Sequence, residues 1–400
     1  MTSKNSTKQK QSSWSTDSKV IPLGAYIHIP WCIRKCPYCD FNSHTAQDNI
    51  NESLYLDALF ADMEAQVQQD ERIIETVFIG GGTPSLFSAD SIYKILQKLN
   101  SCFGLSKSAE VTMEANPGTI EHDSFIAYKE AGINRLSLGI QSFNPQQLKI
   151  LGRIHDEQQA HAAIEQAMAC SFDSVNLDLM HALPSQTPEQ AQSDLQLAIK
   201  HHPQHISWYQ LTIEKNTFFD HQPPELPDED TIEAIQTHGA ELLKSNHYMQ
   251  YEISAFSKNN QQCRHNLNYW RFGDYLGFGA GAHSKLTRTK PFNVQRSSRC
   301  KHPQQYMQLA GSKESVQQQS ITDAAELIFE FLMNQLRLSE VVKKTVFCQR
   351  TGLAWEQLKQ AAQEAIAQNL IQLDDRQLGL TSHGRLFLNN TLLTFLPANR

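Results

Sequence analysis

Long apolar runs are missing from this 400-residue chain. Nowhere do the roughly 20 consecutive apolar residues occur that a helix needs to cross a bilayer, so the sequence gives no reason to expect a membrane span. An excess of positive charge is missing too: 35 Lys and Arg against 42 Asp and Glu leave a net charge of -7. That balance offers nucleic acid no electrostatic footprint. Cysteine is scarce, eight in the whole chain, and Cys102, Cys170, Cys263, Cys300 and Cys348 are scattered singly. A secreted disulfide framework looks different. Residues 1–20 are mostly Ser, Thr, Gln and Lys, which reads as a disordered polar tail without the apolar segment of a signal peptide. A cytoplasmic location is the expectation.

The three remaining cysteines stand together in Cys32-Ile33-Arg34-Lys35-Cys36-Pro37-Tyr38-Cys39. A cluster of four irons and four sulfurs is held by thiolates. Three cysteines on one tight loop would therefore ligate three irons and leave the fourth open to a small molecule. Zinc is the competing reading, but a structural zinc site takes four ligands, and no second cysteine pair exists here.

From Leu23 onward, short apolar runs alternate with longer amphipathic segments, the pattern of repeated βα units around a parallel sheet. Strands are expected at Ala25–Ile29, Thr76–Ile79, Glu110–Glu114, Arg135–Gly139, Ser174–Asp178 and His205–Leu211. Helices are expected at Ser53–Gln69, Ala89–Asn100, Glu121–Ala131, Gln158–Cys170 and Thr187–His201, the last opened by Thr187-Pro188-Glu189-Gln190. Six such units make an α/β fold, a partial (β/α)6 barrel resembling a TIM barrel, with its chemistry on the loops after the strand C-termini. One large domain and one small one suit this length. The divisions expected are the tail 1–20, a barrel at 21–260, an extension at 261–320 and a C-terminal domain at 321–400.

The C-x3-C-x2-C spacing resembles the signature of the radical S-adenosylmethionine (SAM) superfamily. The flanks, Leu23-Gly24-Ala25-Tyr26-Ile27-His28-Ile29-Pro30-Trp31 before and Asp40-Phe41-Asn42-Ser43-His44 after, look like the branch that contains oxygen-independent coproporphyrinogen III oxidase and the HemW heme chaperones. The resemblance implies a [4Fe-4S] cluster on Cys32, Cys36 and Cys39, with SAM on the open iron. The run Gly80-Gly81-Gly82-Thr83-Pro84 is similar to the superfamily's glycine-rich motif for the SAM amine, and glycines let backbone approach a ligand closely. By the same resemblance Tyr26, Tyr38, Gly81, Gly82, Thr83, Glu114, Gln141, Arg153 and Asp178 are expected SAM contacts. Arg153 would meet a carboxylate through its planar fork. Radical cleavage of SAM, fed by an electron donor such as a flavodoxin or ferredoxin, is the family's chemistry. The oxidase carries a further cysteine two residues after the third, where this chain has Phe41, and an ordered N-terminal segment where this chain has only the tail. Both departures point toward the chaperones.

A second motif, His265-Asn266-Leu267-Asn268-Tyr269-Trp270, is similar to the His-Asn-x-x-Tyr-Trp associated with heme in the chaperone branch. Imidazole is a common axial ligand of heme iron, so His265 is the expected heme ligand, with a polar network closing a loop as the alternative. The implied partners are heme and a protein that accepts it. Gly277-Phe278-Gly279-Ala280-Gly281-Ala282-His283 lacks the context of a dinucleotide fingerprint and reads as a tight loop lining the site. After residue 320, helices at Ala324–Arg337 and Trp355–Gln368, two short strands within Leu370–Leu380 and a final helix at Arg385–Phe395 suggest a module like a winged helix. Its eight acidic and eight basic residues from Asp323 to Arg400 present no basic face. A lid or a protein-docking surface fits it better than nucleic-acid binding.

Overall fold

The structure, a computed structural model, describes residues 21–46, 50–67, 72–119, 124–289, 291–321 and 323–396. The tail expected over 1–20 and the start of the helix expected at Glu121 lie outside the described residues. Six strands carry the first half of the chain: β1 (Leu23–Ile29), β2 (Ile74–Gly81), β3 (Leu105–Ala115), β4 (Arg135–Gln141), β5 (Ser174–His181) and β6 (His205–Gln210). They pair in chain order and in parallel.

Side chains alternate across a strand with a period of two, and here the two faces differ sharply in chemistry. One face supplies Ala25, Ile27, Val77, Ile79, Leu136 and Leu138 to the main hydrophobic core. Helices Glu52–Gln66, Ala89–Phe103, Phe125–Glu130, Glu157–Ala169 and Pro188–Lys200 lie between the strands in sequence and contribute Leu59, Ile95, Ile164 and Leu195 to that core. The intervening strand positions carry many polar residues, among them Thr76, Thr112, Glu114, Ser137, Asn176 and Asp178, alongside Phe78. The helix starts follow the local sequence. Thr187 caps Pro188–Lys200 in a reciprocal box with Gln190, and Asp156 does the same with Gln159 for Glu157–Ala169, satisfying backbone N–H groups that have no partner in the first turn.

The sheet runs further than six strands. After β6 come β7 (Met249–Glu252) and β8 (Ala255–Ser257), which turn back antiparallel at one edge. At the other edge β9 (Asp274–Phe278) lies parallel to β1, followed by antiparallel β10 (His283–Thr289), β11 (Phe292–Arg299) and β12 (Val316–Ile321). The order is β12-β11-β10-β9-β1-β2-β3-β4-β5-β6-β8-β7, an open, partial barrel. Gly277 to His283 is thus the end of β9 and its turn into β10.

The C-terminal module has its own core of Leu327, Phe331, Phe347, Trp355 and Leu378, joined by Phe272 and by Val294 of β11. Its small antiparallel sheet contains β13 (Val342–Lys343), β14 (Ile371–Leu373) and β15 (Gln377–Leu380), with β15 in the middle. The helix expected at Trp355–Gln368 is two pieces, Trp355–Ala361 and Gln363–Ala367, and the last one divides at Phe387. No helix among the described residues is long and apolar enough to cross a membrane.

Candidate active site and cofactor cavity

The cysteine loop is an excursion from the end of β1, closed at its neck. Trp31–Cys32 pairs in parallel with His44–Thr45, and the amides of His44 and Ala46 donate to the carbonyls of Pro30 (2.7 Å) and Cys32 (2.9 Å). Asn42 fastens the loop to the far wall by donating to the carbonyls of Ala280 (2.9 Å) and Lys301 (2.7 Å). All three thiols are free and half-buried. Burial, and then mutual repulsion, pushes the Cys32 thiol up, against a hydrogen bond from Thr83. Burial also raises Cys39, opposed by hydrogen bonds at Phe41 and Ser43. The Arg153 guanidinium donates to the Cys36 sulfur at 3.5 Å. Among the described residues no three potential ligands stand in ready metal-holding geometry. The loop supplies three soft donors within eight residues, one of them against a guanidinium, and this donor set suits an iron-sulfur cluster bound through three cysteines.

The glycine loop packs straight onto the neck of the cysteine loop. Gly82 N donates to the Ile29 carbonyl and Thr83 N to the Trp31 carbonyl, each at 2.7 Å. A Cβ on Gly82 would lie 2.4 Å from the Trp31 oxygen, and one on Gly81, whose φ is +114°, would lie 2.5 Å from the His28 ring. The glycines are therefore demanded by the protein's own close packing. Glu114 Oε2 accepts from Gly81 N at 3.1 Å. Burial first, and the neighbouring Asp178 second, push the Glu114 carboxyl up to about 7, with the Gly81 bond opposing them.

The other expected SAM contacts are fixed from within the barrel. Asp178 accepts from Ser137 Oγ and Asn176 Nδ2, both at 2.8 Å, and burial raises its pKa. Gln141, at φ +69°, accepts from the Tyr209 hydroxyl at 2.6 Å; a non-glycine residue in this region is uncommon and strained. Arg153 Nη2 donates to the Gly139 carbonyl at 2.7 Å and also meets Asn116 Oδ1, while its buried Nε has no partner. Tyr26 bonds His28 Nδ1 at 3.0 Å, and Tyr38 packs near Phe219 with ring centroids 6.4 Å apart.

A cavity of about 730 Å³ opens beside the cysteine loop. It brings together Tyr26, Gly81, Glu114 and Cys39. Cys36, Thr83 and Arg153 share a much smaller recess of about 20 Å³. Gly82, Tyr38, Gln141 and Asp178 line neither. The rest of the large cavity's wall includes His28, His44 and His283, the lysines Lys35, Lys215 and Lys301, and Tyr269 and Tyr275. Of these, sequence reasoning pointed only to Tyr269, as part of the heme-associated motif, and to His283, at the end of the loop expected to line the site. The available signal was position: His28 and His44 flank the cysteine motif, and Tyr269 belongs to the second motif.

That second motif divides between core and cavity. Helix Arg264–Trp270 sends His265 inward, where it is 1% exposed. His265 Nδ1 pairs with Thr76 Oγ1 at 2.9 Å, and its backbone N donates to Glu110 Oε1 at 2.9 Å. Phe78 and Tyr269 lie against its ring at 5.3 and 4.7 Å. Burial lowers its pKa to about 3, and Nε2 is left without a partner. Tyr269 is the motif residue on the cavity wall, whereas the Arg337 guanidinium lies over the Trp270 ring at 4.4 Å. Cys263 is buried, with its thiol pushed up to about 12 by burial and by Glu110.

Residues 26–198 match the radical SAM superfamily and residues 322–387 match the HemN C-terminal domain. Coproporphyrinogen III oxidase (HemN) from Escherichia coli has the same fold, with a TM-score of 0.78 over 95% of this chain and 92% of that one, at 21% identity. The molecule is a radical SAM protein. Along nearly its whole length the chain is 47% identical to heme chaperone HemW of Haemophilus influenzae over 383 residues, 94% of this chain and 99% of that one. It is 45% identical to heme chaperone HemW of Escherichia coli over 379 residues, with the same coverage. The chain belongs to the HemW family.

Proposed function

We propose that this protein binds heme and passes it to an acceptor protein, working in the cytoplasm on a radical SAM scaffold. The observation that carries this reading is the 47% identity over 99% of a heme chaperone. Phe41, 60% exposed, supports it by standing where the oxidase branch has a further cysteine. In this reading Cys32, Cys36 and Cys39 hold a [4Fe-4S] cluster. Tyr26, Gly81 and Glu114 would border SAM in the cavity, with Thr83 and Arg153 beside the cluster and Tyr38, Gly82, Gln141 and Asp178 supporting them. When bound, cluster and SAM supply one-electron radical chemistry, with a flavodoxin or ferredoxin as the electron source.

The chain's own groups have separable tasks. The closed neck of the cysteine loop presents the thiols, Arg153 offers positive charge to Cys36, and Glu114 offers an anionic partner to an amine once it gives up its proton. His265, the heme ligand expected from the motif, enters this reading as a core group supporting Tyr269. The test is an anaerobic titration of hemin into cluster-reconstituted protein, beside an assay with coproporphyrinogen III. Saturable binding of about one heme per chain without turnover is expected; turnover without heme binding would replace this reading with the oxidase.

A further inference from the structure

Resting on the heme reading just given, we propose that the imidazole of His44, not that of His265, takes the heme iron, with Lys35, Lys215 and Lys301 receiving the propionates. His265 is enclosed at the level of Gly24 and Thr76. Even the missing Cβ of Gly24 would lie only 3.3 Å from its ring. A porphyrin could reach it only by parting β1 from β2.

The cavity wall offers three other imidazoles. His28 has both nitrogens engaged, Nδ1 with the Tyr26 hydroxyl at 3.0 Å and Nε2 with the Asn42 carbonyl at 2.8 Å. His283 is exposed at the start of β10. His44 is held differently. Its backbone is pinned by pairing with Trp31, and Nε2 has no hydrogen-bond partner. An imidazole nitrogen on a pinned backbone with no competing hydrogen bond is free to take a metal.

Nε2 is shielded from solvent, with the exposed His302 ring edge-on at 5.5 Å. In this proposal the exposed His302 ring would have to swing aside to admit the iron. Lys35, Lys215 and Lys301 are exposed on the wall of the same cavity, suitable for two carboxylates that stay near water, and Tyr269 and Tyr275 supply aromatic surface for the macrocycle. The cavity, about 730 Å³, has the size of one small-molecule site, about 300–1,000 Å³, so heme and the SAM placed beside Glu114 would occupy it in turn. Because the His44 strand closes the neck of the cysteine loop, heme and cluster would share one short piece of chain.

The test uses the full-length, cluster-reconstituted protein and hemin under anaerobic conditions, comparing wild type, His44→Ala, His44→Gly and His265→Gln. Bound iron, sulfide and far-ultraviolet circular dichroism check that each variant keeps its cluster and fold. The wild type is expected to give a nitrogen-ligated heme spectrum. His44→Ala should lose that spectrum and weaken binding at least about tenfold. Millimolar imidazole should restore the spectrum in His44→Gly, and His265→Gln should keep it. An unchanged spectrum and affinity in His44→Ala would overturn the assignment while leaving heme binding intact. Absence of hemin binding in the wild type would instead overturn the underlying function.

Discussion

Replacing Glu114 by Gln should stabilise the cofactor-free protein at alkaline pH and leave it nearly unchanged in acid. Burial and Asp178 raise the Glu114 carboxyl from its ordinary 4.5 to about 7. The folded protein therefore keeps a proton that the unfolded chain releases between those values. The neutral carboxyl's contribution to stability is complete below pH 4.5 and is lost as pH rises through about 7. A difference of roughly 2.5 pH units corresponds to about 3 kcal/mol. Glu114 borders an open cavity, whose water reduces the cost, so about 1–3 kcal/mol is the expected range. Gln mimics the protonated form while keeping an oxygen for the Gly81 amide. In urea unfolding followed by circular dichroism, the variant should match the wild type within about 1 kcal/mol at pH 5 and exceed it by about 1–3 kcal/mol at pH 8.5. Equal effects at both pH values, or a less stable variant at pH 8.5, would refute the reasoning. A cationic ligand beside Glu114 offsets the same cost, so binding a SAM amine should release a proton near neutral pH.

Two further substitutions probe the frame around the site. Gly82→Ala puts a Cβ 2.4 Å from the Trp31 oxygen and 2.9 Å from the Ile29 oxygen, forcing the neck of the cysteine loop to shift. Reconstituted iron and sulfide should fall well below wild type, while Gly379→Ala, whose nearest neighbour is a Val341 methyl at 3.2 Å, should load normally. Asp274 is fully buried between Arg72 (2.9 Å) and Lys285 (2.8 Å). Asp274→Asn removes the buried carboxylate that faces the Lys285 ammonium, so thermal or urea unfolding should show a loss of about 3–5 kcal/mol.

The parallel strands were legible because each carries apolar residues toward the helices at every second position, as in Val77–Ile79 and Leu136–Ile140, between segments with helical start signals. Thr187 and Gln190 marked one such start to within a residue. The antiparallel extension β10–β12 was not legible. Its strands read Ser-Lys-Leu-Thr-Arg-Thr, Asn-Val-Gln-Arg-Ser-Ser and Gln-Gln-Gln-Ser, polar along most of their length, and they pair with one another while burying polar side chains such as Ser284, Lys285 and Thr287. At the site, the cysteines and glycines announced themselves by spacing. The cavity's far wall did not: Asn42 reaches Lys301 across 259 positions, and Tyr55 bonds both the His28 carbonyl (2.7 Å) and Ala280 N (3.0 Å). Such long-range contacts leave no local pattern. His265 illustrates the converse, since a motif shows which residues travel together but not which of them faces the ligand.

Anomalous scattering at the iron edge from crystals of the heme-loaded, cluster-reconstituted protein tests most directly whether heme sits in the cavity beside the cysteine loop. The prediction is two iron centres in each chain, the cluster at Cys32, Cys36 and Cys39 and a single heme iron within bonding distance of His44 Nε2. Iron at the cysteines alone, or a heme iron outside this cavity, would contradict it.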